Sequence, residues 1–169
     1  MIGLSYKYKV SLVPTEGVLY FHPMEKFDDH YFMKQALLEA QKAYDADEVP
    51  VGAVVVIDNK IIARAHNLTE RLNDVTAHAE MQAITAAANF LNGKYLIGCS
   101  LYVTLEPCVM CMGAIYWSQL SKVVFGAKDK KRGYQQAQLT PHPKATVLEG
   151  IMADEAAVLI QGFFQKKRP

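Results

Sequence analysis

The 169 residues carry 18 Lys and Arg against 17 Asp and Glu, a net charge of +1, and 51% of them are hydrophobic. That suffices for one globular core, whereas two independent domains would each fall near the size at which cores become marginal. The near-neutral total excludes a chain driven to polyanions by its overall charge, so a nucleic-acid partner has to be met by a local patch. No stretch approaches the roughly 20 apolar residues of a membrane span, and a cytoplasmic protein with no membrane contact is expected.

Residues 1–23 stand apart. They hold Lys7, Lys9 and the apolar run Val18-Leu19-Tyr20-Phe21, but lack the continuous apolar stretch and small-residue cleavage site of a secretory signal. We read them as a non-catalytic extension, an arm or an extra edge strand, ahead of a domain over residues 24–169 whose native start is Met24.

From Asp28 to about Ala46, Met33, Leu37, Ala40 and Tyr44 recur at three- and four-residue steps behind a capping Asp28 or Asp29, which predicts an amphipathic helix. Val51 to Ile57 and Lys60 to His66 flank Asp58-Asn59 and read as a hairpin. Thr76 is the expected cap of a second, Ala-rich helix that runs to about Leu91 and stops at Asn92-Gly93. Ser100 to Leu105 is a third strand, and Pro107 opens a helix from about Cys108 to Trp117, since proline suits the first helical position. Lys122 to Ala127 and Ala145 to Leu148 complete five strands before a terminal helix from Met152 to about Phe164. Helices alternating with strands predict an α/β fold, a three-layer α/β/α sandwich on a mixed five-stranded sheet.

Two short motifs carry chemistry. His78-Ala79-Glu80 and, thirty residues on, Pro107-Cys108-Val109-Met110-Cys111 offer three metal ligands, His78, Cys108 and Cys111, and one unligated carboxylate, Glu80. A structural zinc takes four protein ligands, while a hydrolytic zinc keeps three and leaves a position for water. Glu80 lies two residues from His78, so on a helix it points to a different azimuth and stands beside the metal, where it can move protons. Both motifs fall at helix starts, whose positive dipole ends favour thiolates. Cys99, inside the apolar run Leu96 to Leu105, reads as a buried and inert thiol, and His66 and His142 as polar loop or pocket residues.

The pair of motifs resembles the signature of zinc-dependent nucleobase deaminases. Five further blocks, Glu48 to Ala53, Ala63 to Asn67, Thr76 to Glu80, Thr104 to Cys108 and Phe125 to Asp129, resemble consecutive segments of the bacterial tRNA-specific adenosine deaminase family, as does Gly150 to Glu155. The resemblance implies a cytidine-deaminase-like fold with one Zn2+ per subunit, a homodimer, and conversion of the wobble adenosine of a tRNA anticodon loop to inosine. Water activated on the metal would attack C6 of the flipped base, with Glu80 as the proton shuttle. It also implies that Asn67 hydrogen-bonds the target base and that Asp129 lies near a flanking ribose, where an acceptor for the 2′-OH would select RNA. Lys128, Lys130, Lys131 and Arg132 are expected phosphate contacts, and Met110, Met112 and Ile115 hint at a subunit interface. The segment from Thr140 to Gly150 is shorter than in better-known members of that family.

Two other functions fit the same motifs. One is a guanine or other free-base deaminase of the same fold; the basic Lys128 to Arg132 segment and the Asn67 block argue against it. The other is a non-catalytic, zinc-stabilised tRNA-binding subunit, which would require that Glu80 not reach the reacting water.

Overall fold

The computed structural model describes residues 8–12, 19–23 and 27–168. Strands β1 (Tyr8–Leu12) and β2 (Leu19–Pro23) pair antiparallel with each other in a two-stranded sheet of their own, with Leu12 opposite Leu19. The two described strands of the extension add no edge strand to the main sheet; Met24 lies outside the described residues.

Helix α1 (Asp29–Asp45) starts where Asp28 Oδ1 accepts the backbone N–H of Tyr31 at 2.8 Å. Its buried stripe of Phe32, Met33, Ala36, Ala40 and Ala43 keeps the helical period but is narrow, because two alanines face strand β3 (Gly52–Ile57) at close range. A Cβ on Gly52 would stand 2.1 Å from the Ala36 carbonyl oxygen and 2.2 Å from the Ala40 nitrogen. Strand β4 (Lys60–His66) follows a two-residue turn in which Asp58 and Asn59 both take positive φ, 47° and 61°, as the tight hairpin turn demands.

Helix α2 (Ala79–Phe90) begins two residues later than a cap at Thr76 would place it. Asp74 Oδ1 accepts both the backbone N–H and the hydroxyl of Thr76, at 2.8 and 2.7 Å, so Thr76 is spent in a turn and His78 becomes the N-cap. Strand β5 (Ser100–Leu105) leads into helix α3 (Val109–Ser118), whose N-cap is Cys108; Pro107 precedes the cap instead of occupying the first turn. Strands β6 (Lys122–Ala127) and β7 (Thr146–Glu149) come next, and helix α4 (Ala153–Lys167) ends three residues beyond Phe164.

The five-stranded sheet runs β4-β3-β5-β6-β7, with β3 antiparallel to both neighbours and β5, β6 and β7 parallel. Alternation divides its residues between two buried faces. Val55, Leu101, Val103, Val123 and Phe125 meet Ala79, Ala83, Met112 and Ile115 of α2 and α3, while Val54, Val56, Tyr102 and Val124 meet Phe32, Met33 and Ala36 of α1. This is the expected three-layer sandwich. Met112 and Ile115 are core residues, so they form no subunit surface; the apolar side chains that α3 exposes are Val109, Tyr116 and Trp117.

Candidate metal centre and active site

Cys108 is delivered by the carboxyl end of β5 and Cys111 by the first turn of α3, while His78 caps α2 beside them. Ligand bonds of about 2.3 Å to sulfur and about 2.0–2.1 Å to nitrogen at tetrahedral angles set sulfur and nitrogen about 3.6 Å apart. The structure holds Cys108 Sγ at 3.6 Å and Cys111 Sγ at 3.5 Å from His78 Nδ1. Among the described residues these three form the one group of His, Cys, Asp and Glu compact enough for an ion, with all ligand atoms within 4.8 Å of one another. The donor set fits a zinc ion bound by three protein ligands.

Glu80, in the first turn of α2, is only 4% exposed and stands outside that group. Burial pushes its carboxyl up to about 7, against the pull of the His78 charge. His78 is raised above the usual imidazole range, chiefly by its hydrogen bond to Cys108 and then by the charge of Glu80, while the charge of Arg132 opposes the shift. The hydrogen bond from Cys111 holds Cys108 well below the ordinary thiol range, and the same bond, with burial, pushes Cys111 up.

Two loops flank these residues, and each is organised by a buried carboxylate outside the two metal motifs, Glu48 in one and Glu106 in the other. Glu48, at 1% exposure, accepts from Asn67 Nδ2 at 3.0 Å, Thr69 Oγ1 at 3.3 Å, Glu70 N at 3.1 Å and Arg71 N at 2.7 Å. Leu68 N then donates to Ala77 O at 3.0 Å, which stitches the Asn67 loop to the residue before His78. On the other side Glu106 accepts from Asp129 N and Gln135 N, each at 3.1 Å, and Tyr134 N donates to Pro107 O at 2.9 Å. Gly133 forms an antiparallel bridge with Cys108, and the basic segment is thereby folded against the metal ligand. Glu106 lies between Leu105 and Pro107, an acidic residue lodged among apolar neighbours, which is a signal available in the sequence; Glu48 ends the acidic run Asp45-Ala46-Asp47-Glu48 and carries no such signal.

The remaining predicted residues fall as follows. Asn67 is buried, and Asp129 Oδ1 accepts the backbone N–H groups of Lys131 and Arg132 at 2.9 and 3.0 Å, capping its own turn. Lys128 is paired with Glu149 at 2.9 Å, whereas Lys130, Lys131 and Arg132 are exposed. At the C-terminus Lys167 pairs with Asp47 and Lys166 lies over the Tyr44 ring. Cys99 is fully buried, with its thiol pushed up by that burial, as expected of an inert position. No helix among the described residues is long and apolar enough to cross a membrane.

A family model described as the cytidine and deoxycytidylate deaminase zinc-binding region matches residues 26–127, a stretch that contains all three ligands and Glu80, which puts the chain in the zinc-dependent deaminase class. Within that class, the tRNA-specific adenosine deaminase of Aquifex aeolicus (strain VF5) is 47% identical over 143 residues, 82% of this chain and 95% of its own. A structure solved in studies of A-to-I editing by tRNA:A34 deaminases at the wobble position of transfer RNA is 44% identical, with a TM-score of 0.71 over 76% of this chain and 98% of that one. The X-ray structure of guanine deaminase from Bacillus subtilis is 38% identical, with a TM-score of 0.59 over 66% and 70%. The chain belongs to the tRNA-specific adenosine deaminase family.

Proposed function

We propose that this protein hydrolyses the 6-amino group of the wobble adenosine in a tRNA anticodon loop, giving inosine, in the cytoplasm and as a homodimer. The observation that carries the reading is the buried Glu80 carboxylate standing unligated beside a three-donor His78, Cys108, Cys111 set, in a chain whose relatives are named for this activity. Zinc, when bound by that set, activates water as a nucleophile and acts as a Lewis acid.

The chain's own residues do the rest. Glu80 takes a proton from the attacking water, delivers it to the ring nitrogen next to C6, and then assists the departing ammonia. Burial raises the Glu80 carboxyl from its ordinary value, the direction that suits a group which accepts and then releases a proton. Asn67 contacts the flipped base, and Asp129, with Oδ1 engaged in its own turn, offers Oδ2 to a flanking 2′-OH. Lys130, Lys131 and Arg132 meet phosphates, and Lys128 joins them by exchanging Glu149 for one. The exposed Val109, Tyr116 and Trp117 of α3, the last 77% accessible, support a second copy packing on that helix. Residues 1–23 are a non-catalytic extension to the catalytic domain of residues 24–169, a reading supported by strands β1 and β2 forming a two-stranded sheet apart from the main one.

The test incubates the zinc-loaded protein and its Glu80→Ala variant with an anticodon stem-loop bearing wobble adenosine, and in parallel with free guanine, adenine and cytidine. Inosine forms in the RNA alone, and the variant loses about 10²- to 10⁴-fold in turnover with zinc content and RNA binding retained. Turnover of free guanine alone overturns the reading in favour of base deamination. Undiminished activity of the variant removes Glu80 from the mechanism, and silence of the parent leaves a binding subunit.

A further inference from the structure

We propose that Glu48 is a specificity-determining positioning residue, which locks the amide of Asn67 with both N–H donors turned inward so that the side chain presents only its carbonyl oxygen to the target nucleotide. The inference rests on the reading of Asn67 as a base or sugar contact and says what kind of contact it makes. A primary amide is ambiguous by itself, since it can offer a donor or an acceptor depending on a rotation of 180°. Here the environment decides. Asn67 Nδ2 lies 3.0 Å from Glu48 Oε2 and 2.9 Å from Thr69 Oγ1, so each of its two hydrogens has an acceptor. Thr69 passes its own hydroxyl hydrogen to the same Glu48 oxygen at 3.3 Å, which leaves Thr69 Oγ1 free to accept from Asn67.

Glu48 cannot yield in this arrangement. Its side chain is ringed by the four donors of Asn67, Thr69, Glu70 and Arg71, two of them backbone N–H groups, and its own backbone N–H is anchored on Ala43 O at 2.9 Å. Turning the Asn67 amide over would set its carbonyl oxygen against a carboxylate oxygen, two acceptors without a proton between them, in a place where neither can turn to water. Asn67 therefore accepts, and the partner it selects must bring an N–H or O–H. On adenosine those groups are the 6-amino and the ribose hydroxyls; the ring nitrogens of adenine accept only.

The test measures kcat/KM on the wobble-adenosine stem-loop for the parent, Glu48→Gln, Asn67→Ala and the double variant, with zinc content and thermal midpoint for each. Glutamine keeps the volume but has a single acceptor oxygen for the four donors, so its N–H₂ group faces a backbone N–H and the hold on the Asn67 amide is loosened. Glu48→Gln then loses about 10- to 100-fold in kcat/KM. In the Asn67→Ala background the same substitution has no further effect on kcat/KM, although it still lowers the thermal midpoint. If Glu48→Gln does not fold, Thr69→Val, which removes one of the two acceptors in nearly the same volume, takes its place in the cycle with a smaller loss. Losses that multiply across the cycle overturn the proposal while the Asn67 contact stands. An Asn67→Ala variant with the parental kcat/KM overturns the Asn67 reading and this proposal with it.

Discussion

Replacing Gly133 by alanine tests how the basic loop is held against the metal centre. The added methyl carbon would lie 2.3 Å from Glu106 Cδ and 2.4 and 2.5 Å from its two oxygens, where ordinary contact begins near 3.4 Å. The loop or the carboxylate must therefore move by about 1 Å. Glu106 is buried and receives the backbone N–H groups of Asp129 and Gln135, so either displacement breaks at least one hydrogen bond to a charged acceptor. Such a bond is worth about 1.5–3 kcal/mol, and overpacking of a filled site costs about 1–3 kcal/mol. The two costs overlap, because the shift that breaks the bond relieves the crowding, and a destabilisation of about 2–4 kcal/mol follows. Urea unfolding of the zinc-loaded protein measures it, and competition with a chelator measures the accompanying loss of zinc affinity, since Gly133 bridges to Cys108. In a Glu106→Ala background the methyl has room, and the same substitution should cost less than about 1 kcal/mol. A Gly133→Ala variant within about 0.5 kcal/mol of the parent, the range of an ordinary surface change, would refute the reasoning.

Two further outcomes follow from the scaffold. Gly52→Ala meets backbone, not a movable side chain, at Ala36 and Ala40, so it should cost about 3 kcal/mol or more and separate α1 from the sheet, read as a lower urea midpoint with zinc ligation retained below it. Asp29 is exposed to burial that would raise its pKa, yet the Lys122 ammonium at 2.6 Å and the Tyr102 hydroxyl at 2.7 Å outweigh it and leave the group below its usual 3.8. The stabilisation is then fully present above the unfolded value and is lost as pH falls through the lower folded one. Asp29→Asn should accordingly cost about 1 kcal/mol at neutral pH, with the gap from the parent closing below about pH 4; a gap that persists at pH 2.5 in thermal unfolding would contradict the ion pair as its source.

Sequence by itself determined the elements and the donor set of the candidate metal centre. The three- and four-residue steps of the first helix, the apolar strand runs, the Asp58-Asn59 turn and the H-x-E and P-C-x-x-C spacings are local patterns. They fix the five strands of the main sheet to within a residue or two and single out His78, Cys108 and Cys111, which the fold brings together. Local patterns also misled where competition between neighbours mattered. Thr76 has the chemistry of a cap but is captured by Asp74, and Met112 and Ile115 look like an apolar surface only until β5 and β6 are seen beneath them.

Tertiary structure alone decided what the acidic residues do. Asp58, Glu70 and Asp74 are no different in composition from Glu48, Glu80 and Glu106, yet only the latter three are driven into the interior. Glu48 and Glu106 become loop organisers because backbone N–H groups 22 to 29 residues further along the chain converge on them. Hydrogen-bond partners at such separations leave no periodicity to read. The buried setting that raises the Glu80 carboxyl to about 7 and the three donors that, with Asn67, converge on Glu48 are properties of the packed sandwich, because desolvation and convergent donors exist only once distant segments have been brought together.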